Sequence, residues 1–427
     1  MKFLSTNDPA GSASLSDALL SGAAPDGGLY FPEDFPEVDF TGFKGRGLSG
    51  RAQRLLTPFF DGDALAPRLG AFCEAAFAWP VPVCEPRGAG DYWTLELFHG
   101  PTGAFKDHGA RFLREALDAL GDDADPFTVL VATSGDTGGA VGAAFEGAER
   151  ARAVILFPKG RVSPFQRHQL TCWGDGVTAL EVEGDFDDCQ RLVKQAFADR
   201  DLSRAARLTS ANSINLGRLL PQMAYFASAA FDVLENTGRT PGFIIPTGNM
   251  GNAVACLWAR ACGAPVGEVV IAANANRALP DYFETGKYAP RPSAATLANA
   301  MDVGDPSNFA RFVQQDRLSE GVSAVSVADD AIKARIRAEF ETKARILCPH
   351  TAVGAEAFAR LDAARKSAPW VLAATAHPYK FRETVEPLIG EAIAPPPAFE
   401  AIFGRKSEAK PIAAELSALA QALESGQ

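Results

Sequence analysis

From Phe127 onward the apolar positions gather in short runs, Phe127 to Ala132, Val154 to Phe157, Val177 to Val182, Gly242 to Pro246, Glu268 to Ala273 and Trp370 to Ala374, separated by helical stretches. That rhythm predicts an α/β chain built on open, mostly parallel sheets flanked by helices. Before Trp93 the pattern differs, with helix-like spacing at Leu15 to Leu20, Arg51 to Phe60 and Leu65 to Phe77 between Gly/Pro-rich joints, and a helical N-terminal unit is expected there. Pro80, Pro82 and Pro86 with Gly88 and Gly90 mark a boundary, because proline disfavours helix continuation and glycine permits turns. The expected division is 1–92, 93–395 holding two α/β subdomains, and 396–427, a tail whose segment Ala413 to Leu423 reads as an amphipathic helix.

Composition narrows the function classes. At 427 residues the chain is long enough for two or three domains, and its formal net charge of -11 argues against nucleic acid or an anionic membrane as partner. Any phosphate it binds must be small and locally caged. Seven cysteines lie between Cys73 and Cys348 without a C-x-x-C pair, which argues against zinc ligation and a disulfide framework; Cys256 and Cys262 are expected to be buried apolar residues. No apolar run approaches the ~18 residues needed to span a bilayer, and the opening M-K-F-L-S lacks a signal pattern. The expectation is a cytoplasmic protein with no membrane partner and no metal.

Lys106 stands in E-L-F-H-G-P-T-G-A-F-K-D-H-G, Glu96 to Gly109, beside Phe105 and Asp107. A nucleophilic amine must be uncharged at neutral pH, which burial favours, and an aromatic neighbour with nearby glycines fits such a pocket; a snorkelling surface lysine is the alternative. Two turns join expected strands to expected helices. Thr133, Ser134, Gly135, Asp136 and Thr137, followed by two glycines, would point N–H groups at a carboxylate or phosphate, or serve simply as a helix cap. Gly248, Asn249, Met250, Gly251 and Asn252 form a second turn, in which two glycines let the backbone wrap a phosphate and the asparagines could add donors. It lacks the Lys-Ser/Thr ending of a nucleotide loop, so a single cofactor phosphate fits better than a triphosphate. Lys159, Arg161 and Arg167 around Ser163, and Asn215 ahead of Arg218, are candidate phosphate contacts or solvated surface groups. Thr375 ends a short strand where its hydroxyl could face a ligand. Of five histidines, His99, His108, His350 and His377 lie beside glycines, prolines or Lys106, without metal-ligand spacing.

Taken in order, these segments resemble the threonine synthase family, in its longer form with an extended N-terminal domain, within the tryptophan synthase β-like (fold-type II) group of pyridoxal-phosphate enzymes. The resemblance spans nearly the whole chain: A-L-L-S-G-A-A-P-D-G-G-L-Y-F-P, F-K-D, T-S-G-D-T-G-G, S-A-N-S-I-N, T-G-N-M-G-N, A-T-L-A-N-A-M-D-V-G-D-P-S-N, C-P-H-T-A-V-G and T-A-H-P-Y-K-F. It implies that Lys106 carries the cofactor as a Schiff base at a central site between the subdomains. It places the cofactor phosphate in the cradle Gly248, Asn249, Met250, Gly251 and Asn252, with Thr375 near the pyridine nitrogen. The Thr133–Thr137 turn would take the substrate carboxylate, and Lys159, Ser163, Asn215 or Arg218 its phosphate. Two departures stand out. Met250 and Asn252 replace a frequent aromatic residue and aspartate, and G-P-T-G-A-F precedes the lysine where the family has the bulkier H-P-T-L-A-F.

The implied reaction takes O-phospho-L-homoserine and water to L-threonine and phosphate, with Lys106 moving protons at Cα and Cβ. The alternatives are a pyridoxal-phosphate lyase, such as a threonine dehydratase or a phosphohomoserine phospholyase, that ends at 2-oxobutyrate, and a catalytically silent chain that kept the fold. A monomer or homodimer is expected.

Overall fold

The computed structural model describes residues 1–121, 126–133, 135–315 and 318–424. Its centre is two open sheets. One has six strands in the order Val322–Ser326, Val269–Ala273, Gly242–Pro246, Trp370–Ala374, Trp93–Glu96 and Val83–Cys84, parallel except for the last. The other has five parallel strands, Lys410–Ala413, Val177–Glu183, Ala151–Pro158, Phe127–Ala132 and Leu208–Thr209. Every residue of Phe127–Ala132 and of Gly242–Pro246 is buried, as continuous apolar strands must be when helices cover both faces. The expected strands are all present, two of them longer at their ends and one, Val269–Ala273, shorter by Glu268.

The N-terminal unit is not purely helical. Phe3–Ser5 pairs antiparallel with both Ser12–Ala13 and Tyr30–Pro32, a small sheet whose strands of two or three residues are too short to display alternation in the sequence. Its helices Leu48–Leu56 and Leu69–Ala76 pack against helices of the region that follows, and Phe60 and Phe72 meet Phe112 edge-on at 6.2 and 5.8 Å between ring centres. Edge-on aromatic contacts of this kind fix the rotation of a helix as well as burying area. Phe112 belongs to Lys106–Leu120, so the N-terminal unit braces the helix that Lys106 begins.

The tail also differs from expectation. Helix starts at Leu416 rather than Ala413, because Lys410–Ala413 adds an edge strand to the five-stranded sheet, where Pro411 needs no ladder donor. Leu419 and Leu423 then fold back to cover that sheet. Cys256 and Cys262 are fully buried, and none of the seven cysteines is in a disulfide. Among the described residues no helix is long and apolar enough to cross a membrane.

Candidate active site

The carboxyl ends of three neighbouring strands assemble the site. Leu97 donates from its N–H to Ala374 O at 3.0 Å, continuing the ladder between Trp93–Glu96 and Trp370–Ala374. The chain then reverses and pairs with the segment beyond Ala374: Phe105 N–H donates to Thr375 O at 2.9 Å, and His377 N–H to Gly103 O at 2.9 Å. Lys106 is thereby set beside Thr375 at the first position of its helix. The glycines before it are required. A side chain on Gly100 would come within 2.5 Å of Asp107 Oδ2, whose carboxylate accepts from Thr102 N–H at 2.9 Å and from the Thr102 hydroxyl at 2.5 Å. Gly103 has φ 66°, and a side chain there would meet the Phe399 ring at 2.5 Å. Phe399, from the helix Pro397–Phe403, fills the space that a bulkier residue before the lysine would need.

Lys106 Nζ lies 3.8 Å from Asp136 Oδ2, and Asp136 Oδ1 lies 3.0 Å from Lys380 Nζ. Lys380 is wholly buried and also donates to Thr102 O at 2.6 Å and Gln169 Oε1 at 2.8 Å. Burial pushes the Lys106 amine below the ordinary lysine range; Asp136 opposes this, while Lys380 and Arg218 add to it. Burial would raise the Asp136 carboxyl, but Lys380 and Lys106 outweigh it and hold the group well below the usual range. Sequence reasoning missed Lys380. The signal was the T-A-H-P-Y-K-F run itself, in which a lysine sits between two aromatics as Lys106 sits beside Phe105.

The turn after Gly242–Pro246 has the form of an anion cradle. The N–H groups of Gly248, Asn249 and Met250 make no hydrogen bond among the described residues, and they precede the helix Gly251–Ala261. A side chain on Gly248 would meet Met301 Cα at 2.7 Å, and Met250 takes φ 61°, which turns the backbone into the helix. The asparagine amides are spent within the protein: Asn249 Nδ2 donates to Ser213 Oγ at 2.5 Å and Asn252 Nδ2 to Pro246 O at 2.9 Å. Backbone donors, not side chains, are what the turn offers.

The other turn is built from within. Thr133 Oγ1 accepts from Gly135 N–H and Gly138 N–H, both at 3.0 Å, so that hydroxyl braces the loop. Asp136 and Thr137 open the helix Asp136–Phe145, which begins earlier than its apolar spacing suggests. Ser134 lies outside the described residues. Among the phosphate-side candidates, Ser163 caps the helix Pro164–Thr171, and Asn215 caps Leu216–Thr237 while its amide donates to Leu19 O and Ser210 O at 2.9 Å. Lys159 is exposed and pairs with Glu183 at 3.2 Å. Arg218 is buried, donates to Ala211 O, and keeps Nε without a partner among the described residues; burial pushes its guanidinium down to about 10.

The histidines divide. His108 receives the Trp79 indole N–H at Nε2 (3.3 Å) and contacts Ala76 O through Nδ1 (2.8 Å), tying the helix of Lys106 to the N-terminal unit. His99 pairs with Glu96 at 2.8 Å, and His377 accepts from Tyr379 N–H. Among the described residues no cluster could hold a metal ion. The donor set instead fits pyridoxal phosphate: a buried amine of lowered basicity, a backbone cradle closed to any side chain at Gly248, and the Thr375 hydroxyl, which makes no hydrogen bond among the described residues.

Comparison with known proteins agrees with this geometry. A model described as pyridoxal-phosphate dependent enzyme matches residues 85–375, and models for the threonine synthase N terminus and C-terminal region match residues 2–77 and 351–423. The threonine synthase of Serratia marcescens is 36% identical over 405 residues, 93% of each chain. The crystal structure of threonine synthase from Escherichia coli superposes with a TM-score of 0.91 at 34% identity, covering 100% of both chains. A pyridoxal-phosphate-bound threonine synthase structure from Brucella melitensis gives a TM-score of 0.91 at 34% identity, covering 100% of this chain and 99% of that one.

Proposed function

The chain belongs to the threonine synthase family of pyridoxal-phosphate enzymes, and from that premise we propose that its substrate is O-phospho-L-homoserine, with Lys106 as the cofactor-bearing amine. Its activity is that of a threonine synthase, a lyase of threonine biosynthesis. The observation that carries the site assignment is the buried Lys106 amine, set beside Thr375 and 3.8 Å from Asp136.

Bound there, pyridoxal phosphate would supply an electron sink for negative charge developing on the substrate carbons. The N–H groups from Gly248 to Asn252 would hold its phosphate, and Thr375 would offer a neutral hydroxyl to the ring nitrogen. The lowered basicity of Lys106 keeps a fraction of the amine uncharged, so that it can take protons from Cα and Cβ and return protons at Cγ, as the phosphate departs, and finally at Cα. N–H groups at the start of Asp136–Phe145 would orient the substrate carboxylate, helped by the helix dipole. Phosphate leaves from Cγ and water adds at Cβ, which conserves all atoms between substrate plus water and threonine plus phosphate. Among the expected phosphate contacts, Arg218 is the one that combines burial with an unused donor, so we place the leaving group nearest to it. Lys159, Ser163 and Asn215 would have to leave their present partners to join it.

Incubation with O-phospho-L-homoserine tests the reading: equal amounts of threonine and phosphate are expected, whereas 2-oxobutyrate and ammonia as main products would overturn it.

A further inference from the structure

His350 has a ring nitrogen with no hydrogen-bond partner among the described residues. Ala300 N–H donates to its Nε2 at 3.1 Å, and because a backbone amide only donates, Nε2 must be bare. The neutral ring then carries its hydrogen on Nδ1. That atom is buried without a partner among the described residues, in a residue only 3% exposed. Native proteins seldom leave a buried donor unmatched unless a ligand or ordered water completes it.

Its position says which ligand. His350 lies in the first turn of Pro349–Ala359, a helix held close to the strand ends because Gly354 lets Leu372 and Pro246 approach. Ala300, its partner, belongs to the turn whose Met301 backbone lies against Gly248 of the cradle. On its other side the ring of Phe381, next to Lys380, is 4.7 Å away. The charged groups that act on His350 are Asp136, Lys106 and Lys380, and burial together with the two lysines keeps its ring neutral, at about 4. Asn299 Oδ1, one residue before Ala300, is also buried without a partner among the described residues.

We propose that His350 is a ligand-binding residue whose Nδ1–H donates to an anionic oxygen of the molecule held between Lys106 and the Gly248–Asn252 turn. The inference rests on the site reading given above. The oxygen belongs either to the cofactor or to the substrate; both are anionic acceptors matched to a neutral donor among cations.

Two isosteres separate this role from support of the Ala300 turn. His350→Gln can present an acceptor to Ala300 N–H but lacks a donor at the δ position, whereas His350→Asn keeps that donor and loses the acceptor. Cofactor affinity is read by tryptophan fluorescence in the full chain freed of pyridoxal phosphate, substrate binding by KM and by inhibition with inorganic phosphate, and folding by Tm. The expected result is a His350→Gln variant with near wild-type Tm and affinity lowered about tenfold or more, with His350→Asn less affected in affinity. Loss in the cofactor titration assigns the oxygen to the cofactor; a raised KM with intact cofactor affinity assigns it to the substrate. Wild-type values for His350→Gln in both arms would overturn the proposal.

Nitrogen-15 NMR of the labelled histidines gives a second readout should either variant fold poorly. The His350 ring should show a protonated Nδ1 and bare Nε2, with Nδ1 moving when pyridoxal phosphate or substrate is added. The opposite tautomer, or no movement with either, would overturn the proposal. A wild-type chain that binds no cofactor would sink the site reading, and the inference with it.

Discussion

The Lys106 amine lies 3.8 Å from the Asp136 carboxylate, which joins the residue that follows the six-stranded sheet to the residue that begins a helix on the five-stranded one. Lys380 approaches the other oxygen of the same carboxylate. Asp136 thus raises the proton affinity of Lys106 while Lys380 lowers it. Asp136→Asn should move the Lys106 titration down and Lys380→Met should move it up. The check is the pH dependence of acylation at Lys106 in the cofactor-free chain, followed by peptide mass. Shifts of the same sign in both variants would exclude this coupling.

Gly248→Ala places a methyl group 2.7 Å from Met301 Cα, a contact that backbone must move to relieve. Such crowding costs roughly 1–3 kcal/mol and distorts the donors of the cradle, so cofactor affinity should fall about tenfold or more while the fold persists. Fluorescence titration with pyridoxal phosphate measures it. Unchanged affinity would place the phosphate elsewhere.

Much of the candidate site's placement in the fold was legible in the sequence, for identifiable reasons. Lys106, the Gly248 turn and Thr375 each follow a buried strand, and long apolar runs such as Phe127–Ala132 announce such strands without tertiary information. What local pattern cannot carry is pairing between distant residues. Lys380 reaches Asp136 only once both sheets are built, and Phe399 fills the space beside Gly103 from the far end of the chain. Asn249 and Asn252 looked like ligand donors because their partners, Ser213 Oγ and Pro246 O, become visible only in the folded turn. The two- and three-residue strands near the N-terminus were hidden for a simpler reason, being shorter than one full alternation.

Arg311 ties the N-terminal unit to the turn region through oxygen acceptors, none of them a carboxylate among the described residues. Its guanidinium donates to Tyr30 O at 2.7 Å, Ile214 O at 2.5 Å and Asn308 Oδ1 at 2.6 Å, and burial pushes it down to about 9. Arg311→Met leaves those oxygens unpaired and should cost roughly 3–5 kcal/mol. Urea denaturation gives the loss, and limited proteolysis should cut faster within residues 78–92. A change below about 1 kcal/mol would show that the contacts are dispensable.

Acid should destabilise the fold through its buried histidines. His108, His350 and His377 are each pushed down to about 4, with burial the main cause, from an ordinary value of 6.5. Between those values the unfolded chain binds more protons, so this stability is complete above 6.5 and is lost as pH falls through 4, by up to about 3 kcal/mol per ring. Asp107 and Asp302, raised by burial from 3.8 to about 6, act in the opposite sense and offset part of the loss. His108→Gln should therefore lose less stability than wild type between roughly pH 7 and 5, read from urea midpoints. Parallel pH profiles would contradict the assignment of His108 as a buried neutral ring.

The central claim, that Lys106 bears the cofactor, is tested most directly by borohydride reduction of the cofactor-loaded chain followed by peptide mass mapping. The pyridoxyl phosphate mass should appear on the peptide carrying Lys106, and Lys106→Ala should show neither that label nor threonine formation. Label on another lysine, Lys380 above all, or full threonine formation by Lys106→Ala, would contradict it.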